Sequence, residues 1–225
     1  MGWYAKPRGG YEYNSWEWVQ NVAEMNRFFR ERGYTYQAIA GILGNVHHES
    51  GMNPWRWQSD EVNYNGGYGL FQYTPASGYL ALSKLPNYSP NLSVAEVTAN
   101  ATPSDGLAQC VVFDEDKLAK WMTGCWRTYW DSNVYADLKN VSQEILNKYG
   151  NGKSITLSQF MGIDDVYYAT FAFLACFEGP LVPNMTPRYK TAQDVYTIIT
   201  GDIPVPEPVV KKKKMPLWFM MRFGL

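Results

Sequence analysis

A chain of 225 residues is long enough for one substantial domain or two small ones, with a sizeable hydrophobic core. Charged residues make up only 18% of it and the formal net charge is -1, so it lacks the basic balance that is typical of nucleic-acid-binding domains. Aromatic residues make up 16%, with 9 Trp and 17 Tyr, which favours flat polar ligands that stack on rings.

The N-terminal stretch and the cysteines indicate where the chain is made. Residues 1–16 contain no apolar core of a signal peptide. No stretch reaches the roughly 18 apolar residues that a membrane-spanning helix needs. Cys110, Cys125 and Cys176 are far apart, odd in number and without metal-type spacing, so we expect them to be reduced and largely buried. We therefore expect synthesis in a cytoplasm and delivery by something other than a signal of the chain's own.

Two amphipathic helices are predicted at the start of the chain. The first lies between a cap at Asn14 or Ser15 and the terminating Gly33, and its apolar residues at near-helical spacing are Trp16, Val19, Val22, Phe28 and Phe29. The second begins after a Thr35 cap, and its apolar stripe is Ala38, Ile39, Ile42, Leu43 and Val46. Glu49 continues this stripe at the C-terminal end of the second helix.

Glu49 follows the only two histidines of the chain. A carboxylate at this position is partly desolvated, and the negative end of the helix dipole adds to the cost of ionising it, which suits a general acid. The alternative is a solvated residue at a frayed helix end. A metal site is not favoured, because neighbouring helical residues point about 100° apart and His47 and His48 have no third histidine to join them. The glycine-rich segment 63–69 lacks the Lys-Ser/Thr of a phosphate loop, so we expect no metal and no cofactor.

The segment after Glu49 indicates a loop that faces a ligand. Residues 50–67 are rich in Pro, Asn, Asp and Gly, which predicts a long loop or a short hairpin rather than a helix. Apolar character then returns and leads into another helix. The Gln72 amide can donate and accept hydrogen bonds, and Tyr68, Phe71 and Tyr73 offer rings. Acetamido sugars need this mixture of apolar faces and amides.

At this point the sequence resembles a known family. "GILGNVHHESGMNP" followed by "GGYGLFQYTP" resembles the lysozyme-like phage tail proteins, whose motifs run roughly G-N-x-x-x-E-S-x-x-x-P and then G-x-G-L-x-Q. The similarity to soluble lytic transglycosylases and goose-type lysozymes is more distant. Residues 33–75 carry the match, and "YYATFAFLACFEGP" adds weaker support. The resemblance implies a mainly α, two-lobed lysozyme-like domain with a substrate cleft and a small loop or hairpin region. It also implies cleavage of the β-1,4 bond between N-acetylmuramic acid and N-acetylglucosamine.

The resemblance also implies roles for individual residues. Glu49 matches the general acid of the family, and Ser50 matches the hydroxyl that orients it. The G-L-x-Q segment that lines the sugar cleft, with Phe71 where relatives often have Met, corresponds here to Gly69, Leu70, Phe71, Gln72 and the adjacent Tyr73.

The second catalytic acid has several candidates. Asp60 and Glu61 lie in the loop between the two motifs and could reach the far side of the sugar, or they could be solvated loop charges. Glu178 ends an apolar helix and matches an acid of the phage proteins. It could face the cleft, or it could form a structural ion pair with Arg188 or Arg127. Some relatives use one acid and the substrate's own groups, so a partner acid is not required.

The later part of the chain has fewer local signals. "PSDGLAQCVVFD" suggests a short strand or an extended segment. "DEDKLAKWMTGCWRTYW" suggests a helix whose buried face carries Leu118, Trp121, Met122 and Cys125. "TAQDVYTIITG" predicts a final helix that ends at Gly201.

The composition changes after Gly201, which predicts a lysozyme-like domain at residues 1–202, with an N-terminal arm at 1–14, and a separate segment at 203–225. A Pro-rich linker there precedes four lysines and an apolar end. This segment could dock into a phage tail tube or knob protein. Alternatively, residues 211–225 could contact an anionic membrane, or the segment could fold back onto its own domain.

The resemblance implies a peptidoglycan-degrading component of the virion tail, made in the host cytoplasm and acting on the host wall when the phage enters. The alternatives are an endolysin that acts in host lysis, lytic transglycosylase chemistry, and an inactive tail-tip or plug protein of the same fold.

Overall fold

The computed structural model describes residues 2–85, 105–118, 136–180 and 182–201, and this part of the chain is mainly helical, as predicted. Two π-helical turns, Phe113–Leu118 and Leu174–Glu178, directly continue the helices Asp105–Val112 and Val166–Phe173. The described helices are α1 (Trp16–Glu31), α2 (Tyr36–Ser50), α3 (Ala76–Ser83), α4 (Asp105–Val112), α5 (Ala136–Tyr149), α6 (Leu157–Met161), α7 (Val166–Phe173) and α8 (Met185–Thr200).

The first two helices have the caps that the sequence predicts. The side chain of Ser15 accepts a hydrogen bond from the Trp18 backbone at 3.3 Å, and Thr35 accepts one from Ala38 at 3.0 Å. Each cap satisfies a backbone N–H that has no partner inside the helix. Helix α2 ends at Gly51, whose φ of 59° lies in the left-handed region that terminates helices. Glu49 is therefore fixed in the last turn of α2.

Helix α2 is the centre of the core and packs against both α7 and α8. Glycines make the close approach possible. A Cβ atom on Gly41 would lie 2.6 Å from the backbone of Ala169 and Thr170 in α7, and one on Gly44 would lie 2.6 Å from the carbonyl oxygen of Arg188 in α8. This packing brings the first turn of α8 alongside the last turns of α2.

The predicted strand or extended segment at residues 103–114 is wrong from Asp105 onward, because Asp105–Val112 is a helix. Asp105 and Gln109 are four residues apart, and their side chains hydrogen-bond to each other, a contact that helical geometry provides. Both side chains are fully buried. The hydrogen bond within this pair supports a helix that the local apolar pattern does not reveal, and it offsets part of the cost of burying two polar groups.

The late helices match the sequence more closely. Helix α8 ends at Gly201, with a left-handed φ of 87°, as predicted, but it begins at Met185, six residues before the segment that suggested it. The helix predicted after residue 113 is described only as far as Leu118, which is buried. Trp121, Met122 and Cys125 lie outside the described residues. The predicted linker and tail at 203–225 also lie outside them, so the boundary of the lysozyme-like domain at residue 202 stays a prediction. Cys110 and Cys176 are buried.

The loop between α2 and α3 is predominantly irregular, as predicted, with one turn of 3-10 helix at Gln58–Asp60. Isolated antiparallel bridges join Tyr68 to Trp57 and to Tyr73, so this pocket loop, residues 51–75, folds back on itself. Among the described residues, no helix is both long and apolar enough to cross a bilayer.

The N-terminal arm, described from residue 2 to residue 14, lies on α1 and on the pocket loop. The Asn21 amide of α1 donates to the carbonyls of Tyr4 at 2.8 Å and Met52 at 2.7 Å. The Asn53 amide of the loop donates to the carbonyls of Lys6 at 2.9 Å and Gly9 at 2.7 Å. The arm and the loop therefore share hydrogen bonds from two buried amides.

Candidate active site

A cavity of about 500 Å³ opens where α2, the pocket loop, α3 and the π-helical turn after α7 meet. Its size is in the range of small-ligand sites. We call it the Glu49 pocket. Its lining combines two carboxyl groups, two glutamine amides, four aromatic rings and one proline. The lining residues are Glu49, Gln58, Gly67, Phe71, Gln72, Tyr73, Thr74, Pro75, Gly78, Tyr79, Phe177 and Glu178.

Glu49 forms an ion pair with Arg188. Nη2 of Arg188 lies 2.6 Å from Oε1 of Glu49, and the two side chains are only 13% and 21% exposed. Nη1 of the same guanidinium donates to Oδ1 of Asn45 at 3.1 Å. The Asn45 amide in turn donates to the carbonyls of Thr170 at 3.1 Å and Gly41 at 2.9 Å. Arg188 thus bonds at the same time to the Glu49 carboxylate and to a buried amide.

Glu178 lies at the end of the π-helical turn, before Gly179 in the left-handed conformation. It lines the same cavity as Glu49. Its Oε1 atom is shielded from solvent and has no hydrogen-bond partner among the described residues. Burial raises the pKa of Glu178 well above its usual range, repulsion from Glu49 raises it further, and Arg188 acts in the opposite direction. The structure thus brings Glu178 to the pocket, and the ion pair of Arg188 is made with Glu49 instead.

Ser50 does not make the contact that the family resemblance implies. Its hydroxyl donates to the carbonyl of Val46 at 3.0 Å and the residue is buried. A serine in the last turn of a helix readily bonds to the carbonyl four residues earlier, and that bond occupies its proton here. Arg188, rather than Ser50, contacts the Glu49 carboxylate.

The two acidic residues of the pocket loop lie away from the cavity. Oδ1 of Asp60 accepts from the Gly9 backbone at 2.7 Å and from Nη1 of Arg56 at 2.5 Å. Glu61 is exposed. Neither Asp60 nor Glu61 lines the Glu49 pocket, and the contacts of Asp60 connect the N-terminal arm to the loop.

The G-L-x-Q segment divides between the pocket and the layer behind it. Phe71, Gln72 and Tyr73 line the cavity. Leu70 is buried, and its backbone N–H donates to Oε1 of Gln109 at 2.6 Å, while Gly69 packs against the same amide. Gly69 and Leu70 therefore fix the segment, and the following three residues present side chains to the cavity.

A buried polar group that local sequence patterns do not reveal supports the tyrosine rings beside the pocket. Asp105 accepts hydrogen bonds from the hydroxyls of Tyr68 and Tyr79, both at 2.6 Å, and from the Gln109 amide. Burial raises the pKa of Asp105 to about 6, although these hydrogen bonds act to lower it. Tyr79 stacks on Tyr73, with ring centroids 4.8 Å apart and planes 6° apart. The only sequence signal was the spacing of Asp105 and Gln109, which is informative only once the segment is assigned as a helix.

The sequence profile of the phage tail lysozyme family matches residues 20–199, four fifths of the chain. The chain belongs to the phage tail lysozyme family. The matched region includes Glu49, Gln72, Glu178 and Arg188.

One curated relative is morphogenesis protein 1 of Bacillus phage B103. The identity is 28% over 189 residues, and the alignment covers 82% of this chain and 40% of that protein. The chain therefore spans about two fifths of the length of that relative.

The two histidines that precede Glu49 in the sequence make separate contacts. Nδ1 of His47 accepts from the Trp18 indole at 3.0 Å, and burial, followed by the neighbouring His48, lowers the pKa of His47 to about 4. Nε2 of His48 lies 3.3 Å from the hydroxyl of Thr191. Within residues 2–85, 105–118, 136–180 and 182–201, no three His, Cys, Asp or Glu side chains form a group that could hold a metal ion.

Proposed function

We propose that this protein is a muramidase, and that the Glu49 pocket is part of its substrate cleft between two lobes. The bond cleaved is the β-1,4 linkage between N-acetylmuramic acid and N-acetylglucosamine in peptidoglycan. The observation that carries the proposal is the presence of two carboxyl groups with different surroundings, Glu49 and Glu178, in one cavity. Glycosidases use such a pair to protonate the leaving oxygen and to stabilise an oxocarbenium-like transition state.

The rest of the pocket suits an acetamido sugar. Phe71 and Tyr73 offer ring faces, while the amides of Gln58 and Gln72 offer polar groups at the same cavity. The rings are held in place by stacking, as between Phe71 and Phe113, whose centroids are 4.2 Å apart. A preformed wall of this kind lowers the ordering cost of binding a sugar chain.

Glu49→Gln tests the proposal directly. The amide cannot exchange a proton with the leaving oxygen or carry the negative charge, so activity on purified cell walls should fall by orders of magnitude while the fold is kept. Glu61→Gln is the matched control, because Glu61 is exposed and does not line the cavity. It should clear walls at the wild-type rate. Near wild-type clearing by a folded Glu49→Gln variant would end the hypothesis.

The reaction type is tested by mass spectrometry of digested walls. We favour hydrolysis, which leaves reducing muramic acid ends, because Glu178 supplies a second carboxyl group that can assist a water molecule. Dominant 1,6-anhydro ends would assign lytic transglycosylase chemistry instead. Products cut only at amide bonds would overturn the glycosidase assignment, and wall binding without any cleavage would favour an inactive tail-tip or plug protein.

We further propose that the protein is part of the virion tail and degrades the host wall when the phage enters. Family membership supports this, as does the similarity to a phage morphogenesis protein. Detection of the chain in purified virions tests it, and its presence only in lysates would favour an endolysin.

The proposed means of attachment is docking of residues 203–225 into a tail tube or knob protein. A chain cut after Asp202 should still digest isolated walls but should be lost from assembled virions. Normal incorporation of the shortened chain would exclude docking. Binding of the full chain to anionic liposomes would then distinguish membrane contact from fold-back.

A further inference from the structure

Two carboxyl groups, those of Glu49 and Glu178, line the Glu49 pocket, and the guanidinium group of Arg188 forms its ion pair with Glu49. We propose that Glu49 and Glu178 together carry a single proton at neutral pH, that the proton resides on Glu178 in the resting protein, and that Arg188 is the positioning residue that keeps it there. This inference rests on the proposed glycosidase function and assigns the charge state from which its catalytic cycle starts.

Arg188 is held in an orientation that favours Glu49. Its Nη2 contacts Glu49 at 2.6 Å, while its Nη1 contacts Oδ1 of Asn45 at 3.1 Å. Asn45 is fully buried, and its amide nitrogen already donates to the carbonyls of Thr170 and Gly41. Exchanging the amide oxygen and nitrogen would break these bonds and turn a donor towards the guanidinium. Arg188 therefore stays with Glu49, and the positive charge is not shared equally between the two acids.

Glu178 is in a poor position to hold a negative charge. Its Oε1 atom is shielded from solvent and has no hydrogen-bond partner among the described residues, and a shielded carboxylate oxygen without such a bond is destabilised when it carries charge. The charged groups that act on it are Glu49 of α2, which repels a second negative charge, and Arg188 of α8, which is already paired. Tyr73 and Tyr79 line the same cavity, and burial raises the pKa of both phenols well above the ordinary range, so they stay neutral.

The two carboxyl groups thus carry one proton and one negative charge between them. The proton that they carry is the one available to the reaction. When the glycosidic C–O bond breaks, the leaving oxygen takes the proton from the pair, and both carboxyl groups are then anionic. Attack of water on the anomeric carbon adds a hydroxyl group there and returns a proton to the pair. The loss of activity at alkaline pH consequently reports deprotonation of the pair rather than of Glu49 alone.

Infrared difference spectroscopy at pH 8 tests the location of the proton without depending on activity. Replacing Glu178 with Gln must remove either a carboxylic acid band or a carboxylate band. The proposal expects loss of the carboxylic acid band, and loss of a carboxylate band overturns it. Glu61→Gln, at an exposed position, is the control that removes a carboxylate band. If Glu178→Gln does not fold, Glu178→Leu gives the same comparison.

The alkaline limb of the pH–activity profile tests the role of Arg188. Arg188→Gln removes a positive charge, so the pair should hold its proton more tightly, and the limb should move to higher pH by about one unit or more. Glu178→Gln leaves Glu49 alone beside the arginine, so its limb should move to lower pH. Arg188→Lys keeps the charge and should leave the limb near its wild-type position. Limbs that do not move, or that move together in one direction, overturn the assignment of Arg188.

These results are separable from the proposed function. If Glu49→Gln retains activity while Glu178→Gln removes a carboxylic acid band, the glycosidase assignment fails and the location of the proton stands. If Glu49→Gln is inactive while Glu178→Gln removes a carboxylate band, the function stands and the location of the proton is wrong.

Discussion

Gly44→Ala changes the contact between the two helices that carry Glu49 and Arg188. The added methyl group would lie 2.6 Å from the Arg188 carbonyl oxygen and 2.7 Å from Cβ of Ala192, whereas ordinary contact begins at 3.4 Å. The first of these atoms belongs to the backbone of α8 and cannot rotate away. The helices must therefore separate by a large part of an ångström, and the ion pair at the pocket must adjust.

Two opposing effects set the magnitude. Alanine in place of glycine inside a helix contributes about 1 kcal/mol of stability, whereas overpacking of a tight core contact costs about 1 to 3 kcal/mol and more where backbone must move. We expect Gly44→Ala to lose about 1 to 2 kcal/mol of unfolding free energy, which lowers the melting temperature of a chain of this size by roughly 2 to 8 °C.

Gly78→Ala separates the two effects. Gly78 is also helical, but a Cβ atom there would meet nothing within 4 Å. This variant should gain about 0.5 to 1 kcal/mol from helix propensity alone. Urea denaturation followed by circular dichroism gives both free energies. If Gly44→Ala is stabilised as much as Gly78→Ala, the α2–α8 contact is not as tight as described, and the reasoning fails.

Three further changes probe the surroundings of the pocket. Gly69→Ala, at φ 79° and against the Gln109 amide, should cost about 2 kcal/mol in urea denaturation, and a neutral result would contradict the packing. Burial raises the pKa of Asp105 from 3.8 to about 6, so Asp105 binds its proton more tightly in the folded chain than in the unfolded chain. The free energy of unfolding should therefore fall by about 2 kcal/mol as pH rises from 4 to 7. Asp105→Asn should abolish that dependence, although it also lowers stability at every pH. His47 has its pKa lowered by burial from 6.5 to about 4, so the unfolded chain binds more protons between these values and stability should fall by about 1 kcal/mol between pH 7 and pH 5, after allowance for solvent screening. His47→Gln keeps an acceptor for Trp18 and should flatten this slope, and an unchanged slope would assign it to another group.

The helices were predictable where local chemistry determines them. Ser15 and Thr35 cap α1 and α2 through bonds to residues three positions ahead, and Gly201 ends α8 through its own left-handed conformation. Helix α4 was not predictable in the same way. Its polar residue Asp105 is satisfied by tyrosine hydroxyls 37 and 26 residues away in sequence, and a local pattern holds no information about such partners.

The candidate site shows the same division. The motifs around Glu49 and Gln72 are local, and both residues line the cavity. The ion-pair partner of Glu49, in contrast, is 139 residues away in sequence, and the sequence alone suggested Arg188 as a partner for Glu178 instead. Which acid a single arginine contacts depends on the packing of α2 against α8, and no spacing in the sequence encodes that choice.

The hydrogen bonds of the N-terminal arm have a practical consequence for work with shortened chains. The family match begins at residue 20, inside α1, yet the buried amides of Asn21 and Asn53 bond to arm residues as early as Tyr4. A protein trimmed to the matched region would lose the Ser15 cap, both acceptors of the Asn53 amide, the Tyr4 bond of Asn21 and the Gly9 bond of Asp60. Asn21 would keep its bond to Met52 and Asp60 its bond to Arg56, so the pocket loop would lose its hydrogen bonds to the arm. The smallest unit suited to crystallisation, fusion or domain exchange therefore starts at the arm, about 18 residues before the boundary that sequence similarity marks.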